Sequence, residues 1–265
     1  MKSTIDFVEK RRRGFGSRIH LRQVLLERSV VPYFRHYTLK GHRGCVNCVR
    51  FNASGNTIAS GSDDTKVLIY ERRNHKYQCV RQIDTGHSAN IFSVDFLLNE
   101  EEVVTGAMDG RVMINNCSDS SEGRRRQLYQ YTGSCFKVET QRDNKNTVVS
   151  SGFGGVYVHD IRSPHTMNVV KTTGDQHEGM WGEPYGLKLN PAMPYLFTIA
   201  GGFPYVLTFD IRRPPPSHRV TSLRDSVHSI RLPPRSAATC VRFQTYQYNL
   251  IFYYKHVTFF EHTTG

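Results

Sequence analysis

A chain of 265 residues is long enough to bury a core without disulfide or metal staples, and its 38% hydrophobic and 22% charged make-up excludes extensive disorder. The 15 Phe and 14 Tyr favour strands, and no apolar run approaches the ~18 residues of a membrane span, so an intracellular home, nuclear or cytoplasmic, is expected. The net charge of +12 gathers at Arg11 to Arg13, Arg72 and Arg73, Arg124 to Arg126, and Arg212 and Arg213. It reads as attraction for nucleic acid or another acidic partner, or as loop decoration and a nuclear address.

The first 36 residues form a basic segment of their own. MKSTIDFVEKRRR has charge with no apolar stretch behind it and is not a secretory signal. A helix is predicted from Ser17 to Ser29, with Ser17 as N-cap, Pro32 beyond its end, and Ile19, Val24, Leu25 and Leu26 as an uneven apolar stripe.

From position 37 to 265 the chain repeats. GHRGCVNCVRFNASGNTIASGSDDTKVLIYE, starting at Gly41, matches GHSANIFSVDFLLNEEEVVTGAMDGRVMINN, starting at Gly86, with a shift of 45 that pairs His42 with His87, Ser60 with Thr105 and Asp64 with Asp109. Each unit has an alternating strand (Val46 to Phe51; Ile91 to Phe96), a second (Thr57 to Ser60; Glu102 to Thr105) and, after an Asp-bearing turn, a third (Lys66 to Tyr70; Arg111 to Asn115). A fourth is drawn at Tyr77 to Gln82. Cys45 and Cys48 form a lone C-x-x-C on a strand. Three residues apart they point to opposite faces, so small buried side chains are expected there and not a metal site.

Later units are looser. Strands are predicted at Cys135 to Thr140, Thr147 to Ser151 and Val156 to Ile161, then at Tyr185 to Asn190, Tyr195 to Ala200 and Tyr205 to Ile211. A fifth unit opens with Ala238 to Phe243 and runs into NLIFYYKHVTFFEH. The glycines at 152, 154 and 155 lie between two strands and read as a turn.

Four short antiparallel strands in about 45 residues, repeated, resemble the WD-repeat family, whose fold is an all-β propeller. The chain holds about five such blades, fewer than the roughly seven of the commonest rings in this family. A truncated or spliced product, a fragment, and a ring closed by a partner are the three readings. The resemblance implies a structural hydrogen-bonded network of His42, Ser60 and Asp64, repeated by His87, Thr105 and Asp109. Its fourth place, usually Trp, holds Tyr70 or Asn115, and Tyr70-Glu71 and Asn115-Asn116 replace the Trp-Asp pair. A His, an Asp and a hydroxyl also match a hydrolytic triad, but recurrence at one period favours scaffolding.

The third strands of units three and four end in VYVHDIR and VLTFDIR. Asp160-Ile161-Arg162 and Asp210-Ile211-Arg212 resemble the W-D-x-R signature of substrate receptors for cullin-four RING ubiquitin ligases, with His159 and Phe209 in place of Trp. GHxGCVNxxxF at Gly41 and the opening helix are similar to the same group. The resemblance implies a noncatalytic, cofactor-free subunit. It would dock the ligase's propeller adaptor through Asp160, Arg162, Asp210, Arg212 and the Ile19 to Leu26 stripe, and hold a substrate protein on the opposite rim. Met180 and Trp181, in the loop Thr173 to Pro184, are the substrate-side candidates, since aromatics and Met are enriched at interface hot spots. The alternative is a generic scaffold or chromatin-associated protein using its basic surface. No G-x-x-x-x-G-K-[ST], G-x-S-x-G or H-E-x-x-H occurs.

Overall fold

The computed structural model describes residues 38–74, 76–117, 125–172, 182–214, 220–232, 236–243 and 250–256. The chain divides into two units, Met1–Leu39 and Lys40–Gly265, and the architecture below belongs to the second. The predicted helix of residues 17–29 lies outside the described residues.

Sheet one holds β1 (Val46–Phe51), β2 (Thr57–Ser62), β3 (Lys66–Arg73) and β4 (Lys76–Asp84). Sheet two holds β5 (Ile91–Phe96), β6 (Glu102–Ala107), β7 (Arg111–Asn116) and β8 (Arg125–Gln130). Sheet three holds β9 (Cys135–Thr140), β10 (Thr147–Gly152), β11 (Gly155–Asp160) and β12 (Thr166–Lys171). Sheet four holds β13 (Gly186–Leu189), β14 (Leu196–Ala200), β15 (Tyr205–Asp210) and β16 (His228–Arg231). A fifth sheet pairs β17 (Ser236–Phe243) with β18 (Leu250–His256). All pairings are antiparallel and follow chain order, and the first strands of successive sheets are neighbours, so the sheets are propeller blades arrayed about those inner strands.

The repeat is visible in the backbone. Val49 faces Ser60, Val94 faces Thr105 and Val138 faces Ser150. One residue of the inner strand bulges at the same place in four blades, at Asn47, Phe92, Phe136 and Thr239. In blades one to three the turn from second to third strand holds a left-handed residue. Gly110 (φ 79°) and Gly154 (φ 90°) supply it in blades two and three, whereas blade one forces Thr65 to φ 64°.

The outer strands β8, β12 and β16 were not anticipated. β8 and β16 are short and mostly exposed, β8 beginning Arg-Arg-Gln, and β12 buries only Val169 and Val170, side by side in the chain, so all three lack the apolar alternation that betrays a strand. Another expectation is corrected: Cys45 is exposed and Cys48 only partly buried, because Cys45 precedes the strand in a turn and β1 has one bare flank.

That bare flank follows from how the core is built. Apolar clusters lie between consecutive blades, each drawing on two sheets. Ala59, Val67 and Ile69 meet Ile91, Val94 and Phe96; Val104 and Ile114 meet Val138 and Val148; Val149 and Val156 meet Leu187 and Phe197; Ala200 and Val206 meet Ala238 and Val241. At one repeat position Val94, Val138, Leu187 and Val241 are buried, while Val49 is 58% exposed, as are its neighbours Val46 and Phe51 at 51% and 54%.

Candidate functional site

The two rims of the blades are built differently. In blade one the Asp64 carboxylate stands 3.0 Å from His42 Nδ1, while His42 Nε2 is 2.7 Å from Ser60 Oγ. Blade two repeats this with Asp109 at 3.1 Å and Thr105 at 2.8 Å from His87. A carboxylate only accepts, so Nδ1 carries the proton and Nε2 of the neutral ring accepts from the hydroxyl. The same carboxylates also accept from the backbone N–H of Arg43 and Lys66, or of Ser88 and Arg111. Burial raises the Asp64 and Asp109 carboxyls, but these hydrogen bonds outweigh it and hold both below the usual range. Burial depresses His87 in spite of Asp109 beside it. Ser60 and Thr105 are buried within their sheets, so neither hydroxyl is presented to a substrate.

The fourth place separates the blades. Tyr70 is buried, and Ser60 beside it partly offsets the rise that burial gives its hydroxyl. Asn115 is buried with neither side-chain polar atom bonded among the described residues, an arrangement that costs about 1–3 kcal/mol. Blade three uses a set that sequence reasoning missed: Tyr131 Oη and His159 Nε2 each lie 2.7 Å from Ser150 Oγ, and His159 Nδ1 is 3.0 Å from Thr166 Oγ1. The signal was positional, since Ser150 follows Thr105 by the same 45 residues. Burial pushes His159 down to about 4. Blade four closes with Thr198 and Thr208 at 2.9 Å and Phe197 stacked on Phe209.

On the other rim, just past the third strands, Arg162 donates from Nε and Nη2 to Asp160 at 3.0 and 2.8 Å, and Arg212 donates to Asp210 at 3.0 and 2.7 Å. In both turns the backbone N–H of the arginine also reaches the aspartate at 2.9 Å. Arg212 further covers the Tyr195 ring at 3.6 Å, a cation–π contact. The hydrogen bonds from Arg162 bring the Asp160 carboxyl down to about 2. Both guanidinium groups remain mostly exposed. Each aspartate thus holds its arginine in one posture and leaves the Nη1 donors of the fork facing outward. A third clamp of this kind went unread in the sequence: Arg73 donates to Glu71 at 2.9 Å, two residues back as in the other pairs, after Tyr70. The signal was Tyr-Glu-Arg-Arg in the register of Trp-Asp-x-Arg. Blade two, with Asn115-Asn116-Cys117, has no counterpart. Ile19, Val24, Leu25, Leu26, Met180 and Trp181 lie outside the described residues.

Between the rims, charged residues occupy one repeat position on the inner strands. Arg50 donates to Asp95 at 2.7 and 3.0 Å and to Glu139 at 3.3 Å, and Lys188 donates to Glu139 at 2.6 Å. Thr140 closes the set, its N–H and Oγ1 both donating to Asp95. Burial raises the Asp95 carboxyl more than Arg50 lowers it, with Glu139 adding to the rise. These bonds tie four blades together. Among the described residues no cluster of His, Cys, Asp or Glu fits a metal ion, and no helix is long and apolar enough to cross a membrane.

The family model for the WD domain, G-beta repeat, matches residues 35–71 and 77–116, the segments that build blades one and two. The chain carries two WD repeats. It is 28% identical over 211 residues to human WD and tetratricopeptide repeats protein 1, covering 72% of this chain and 30% of that one. It is 36% identical over 121 residues to human DDB1- and CUL4-associated factor 6, covering 44% of this chain and 14% of that one. The chain therefore spans less than a third of the length of these WD-repeat relatives. Among solved structures, the β-propeller domain of Myceliophteria thermophila Cps50 (Swd1) aligns with a TM-score of 0.61 at 18% identity, over 78% of this chain and 61% of that one, which speaks for the propeller fold alone.

Proposed function

We propose that this chain is a noncatalytic substrate-recruiting subunit of a cullin-four RING ubiquitin ligase. In this reading the clamped arginines Arg162 and Arg212, held by Asp160 and Asp210, dock the ligase's propeller adaptor, with Arg73 as a third contact. The apolar stripe Ile19, Val24, Leu25 and Leu26 adds a second anchor, and Met180 and Trp181 belong to the substrate side. The observation that carries the reading is the repeated acid-arginine clamp on one rim of three blades, each arginine fixed and exposed. Pre-set guanidinium forks bind acceptors with less entropy lost than free ones. The likeness to a protein named as DDB1- and CUL4-associated supports the same assignment.

The test is affinity capture from cell extract with the full chain and with a chain lacking residues 1–36, read by mass spectrometry. Recovery of the cullin-four adaptor by the full chain, and less by the shortened one, is the expected result. Absence from both overturns the assignment. The net charge of +12 supports a second reading, association with nucleic acid. It predicts duplex binding that weakens steeply between about 50 and 200 mM salt, and salt-insensitive or absent binding refutes it.

A further inference from the structure

We propose that the cavity among the inner strands is a binding site for a small oxyanion, of which a phosphate group is the best match, with Lys137 as its principal cation. The cavity measures about 150 Å³ and is lined by residues of all five blades. It exists because one repeat position of the inner strands holds small residues, Cys48, Ser93, Gly186 and Cys240, with Lys137 alone carrying charge there. Liquid water occupies about 30 Å³ per molecule, so the space admits a few waters or one tetrahedral anion.

Charge bookkeeping in this space leaves a cation over. The two carboxylates, Asp95 and Glu139, are matched by Arg50 and Lys188 through the bonds described above, and Asp95 is filled further by Thr140. Lys137 has no hydrogen bond or ion pair among the described residues. Burial keeps the neighbouring Cys48 thiol at about 11 even though Lys137 lowers it, so no thiolate compensates the ammonium. Arg50 and Lys188 also line the cavity with part of each side chain exposed, and Arg50 spends Nε and Nη2 on the carboxylates while Nη1 has no partner among them. An anion entering here meets excess positive charge in a partly desolvated space, where such attraction is stronger than in water.

The full chain is titrated with sodium phosphate by isothermal calorimetry, ionic strength being held constant with sodium chloride. Saturable binding at one site is expected. Lys137→Gln lowers the affinity at least about tenfold, equivalent to about 1.4 kcal/mol, while Lys137→Arg retains it and Lys145→Gln, at an exposed turn, changes nothing. Glycerol phosphate run in parallel separates the sources: tighter binding than phosphate assigns the site to a phosphomonoester, equal or weaker binding to the free anion. In the unaltered chain, phosphate protects Lys137 from acetylation relative to Lys145. Absence of saturable binding, equal affinity in Lys137→Gln, or equal labelling of Lys137 with and without phosphate overturns the proposal.

Discussion

Blades one and two are near copies in sequence and strand register, yet they sit differently in the molecule. Val49 and Phe51 of the first are more than half exposed, while Val94 and Phe96, the same positions 45 residues on, are buried against blade one. The blades differ again at the fourth place of the network, where Tyr70 finds Ser60 and Asn115 finds nothing among the described residues. The repeat therefore dictates how a blade folds, and its neighbour decides what each face is worth.

The largest test of that contrast is a buried charge. Val94→Asp should cost more than about 4 kcal/mol and abolish cooperative unfolding, whereas Val49→Asp should change stability by less than about 1 kcal/mol. Urea denaturation followed by circular dichroism separates them, and equal losses would mean that the flank of blade one is covered.

Next in size is a pH effect centred on His159 of blade three, to which the buried His87 of blade two adds in the same direction. His159 lies at about 4, below its unfolded value of about 6.5, so the unfolded chain takes the proton first as pH falls. Its share of stability is intact above pH 6.5 and declines between 6.5 and 4, by on the order of 3 kcal/mol at the end of that window. Asp64 and Asp109 act on the acid side too, their contribution being present above the unfolded carboxylate range and lost as pH falls through their depressed values. The difference between wild type and His159→Gln should therefore shrink between pH 6.5 and 4, and a constant difference would show that His159 titrates normally. The smallest effect is a gain. Asn115→Leu removes two unbonded polar atoms at similar volume and should raise stability by about 1 kcal/mol in thermal unfolding.

Much of this was legible in the chain. The first strands of blades one and two alternate, and the inner three strands of each recur at a shift of 45 with their turn residues, so their places were legible, while the pairing of His42 with Asp64 and His87 with Asp109 came with the resemblance to WD repeats. Blade three's network was hidden because Tyr131 and His159 replace the expected residue types while Ser150 keeps the place. The outer strands β8 and β16 were hidden because solvent faces erase alternation. Contacts across blades, such as Arg50 with Asp95 and Glu139, depend on how sheets are arrayed about the centre, which no local pattern encodes. The Glu71 and Arg73 clamp is legible only by register, because Tyr-Glu-Arg-Arg departs from the Asp-Ile-Arg spelling of the other two.

The most direct test of the docking rim is the affinity of purified adaptor for the full chain and for Arg162→Glu/Arg212→Glu, with circular dichroism confirming that both are folded. A loss of at least about 100-fold is expected, since each exposed, pre-set guanidinium would meet acceptors and the reversed charge would repel them. An unchanged affinity would contradict it and remove these arginines from the interface.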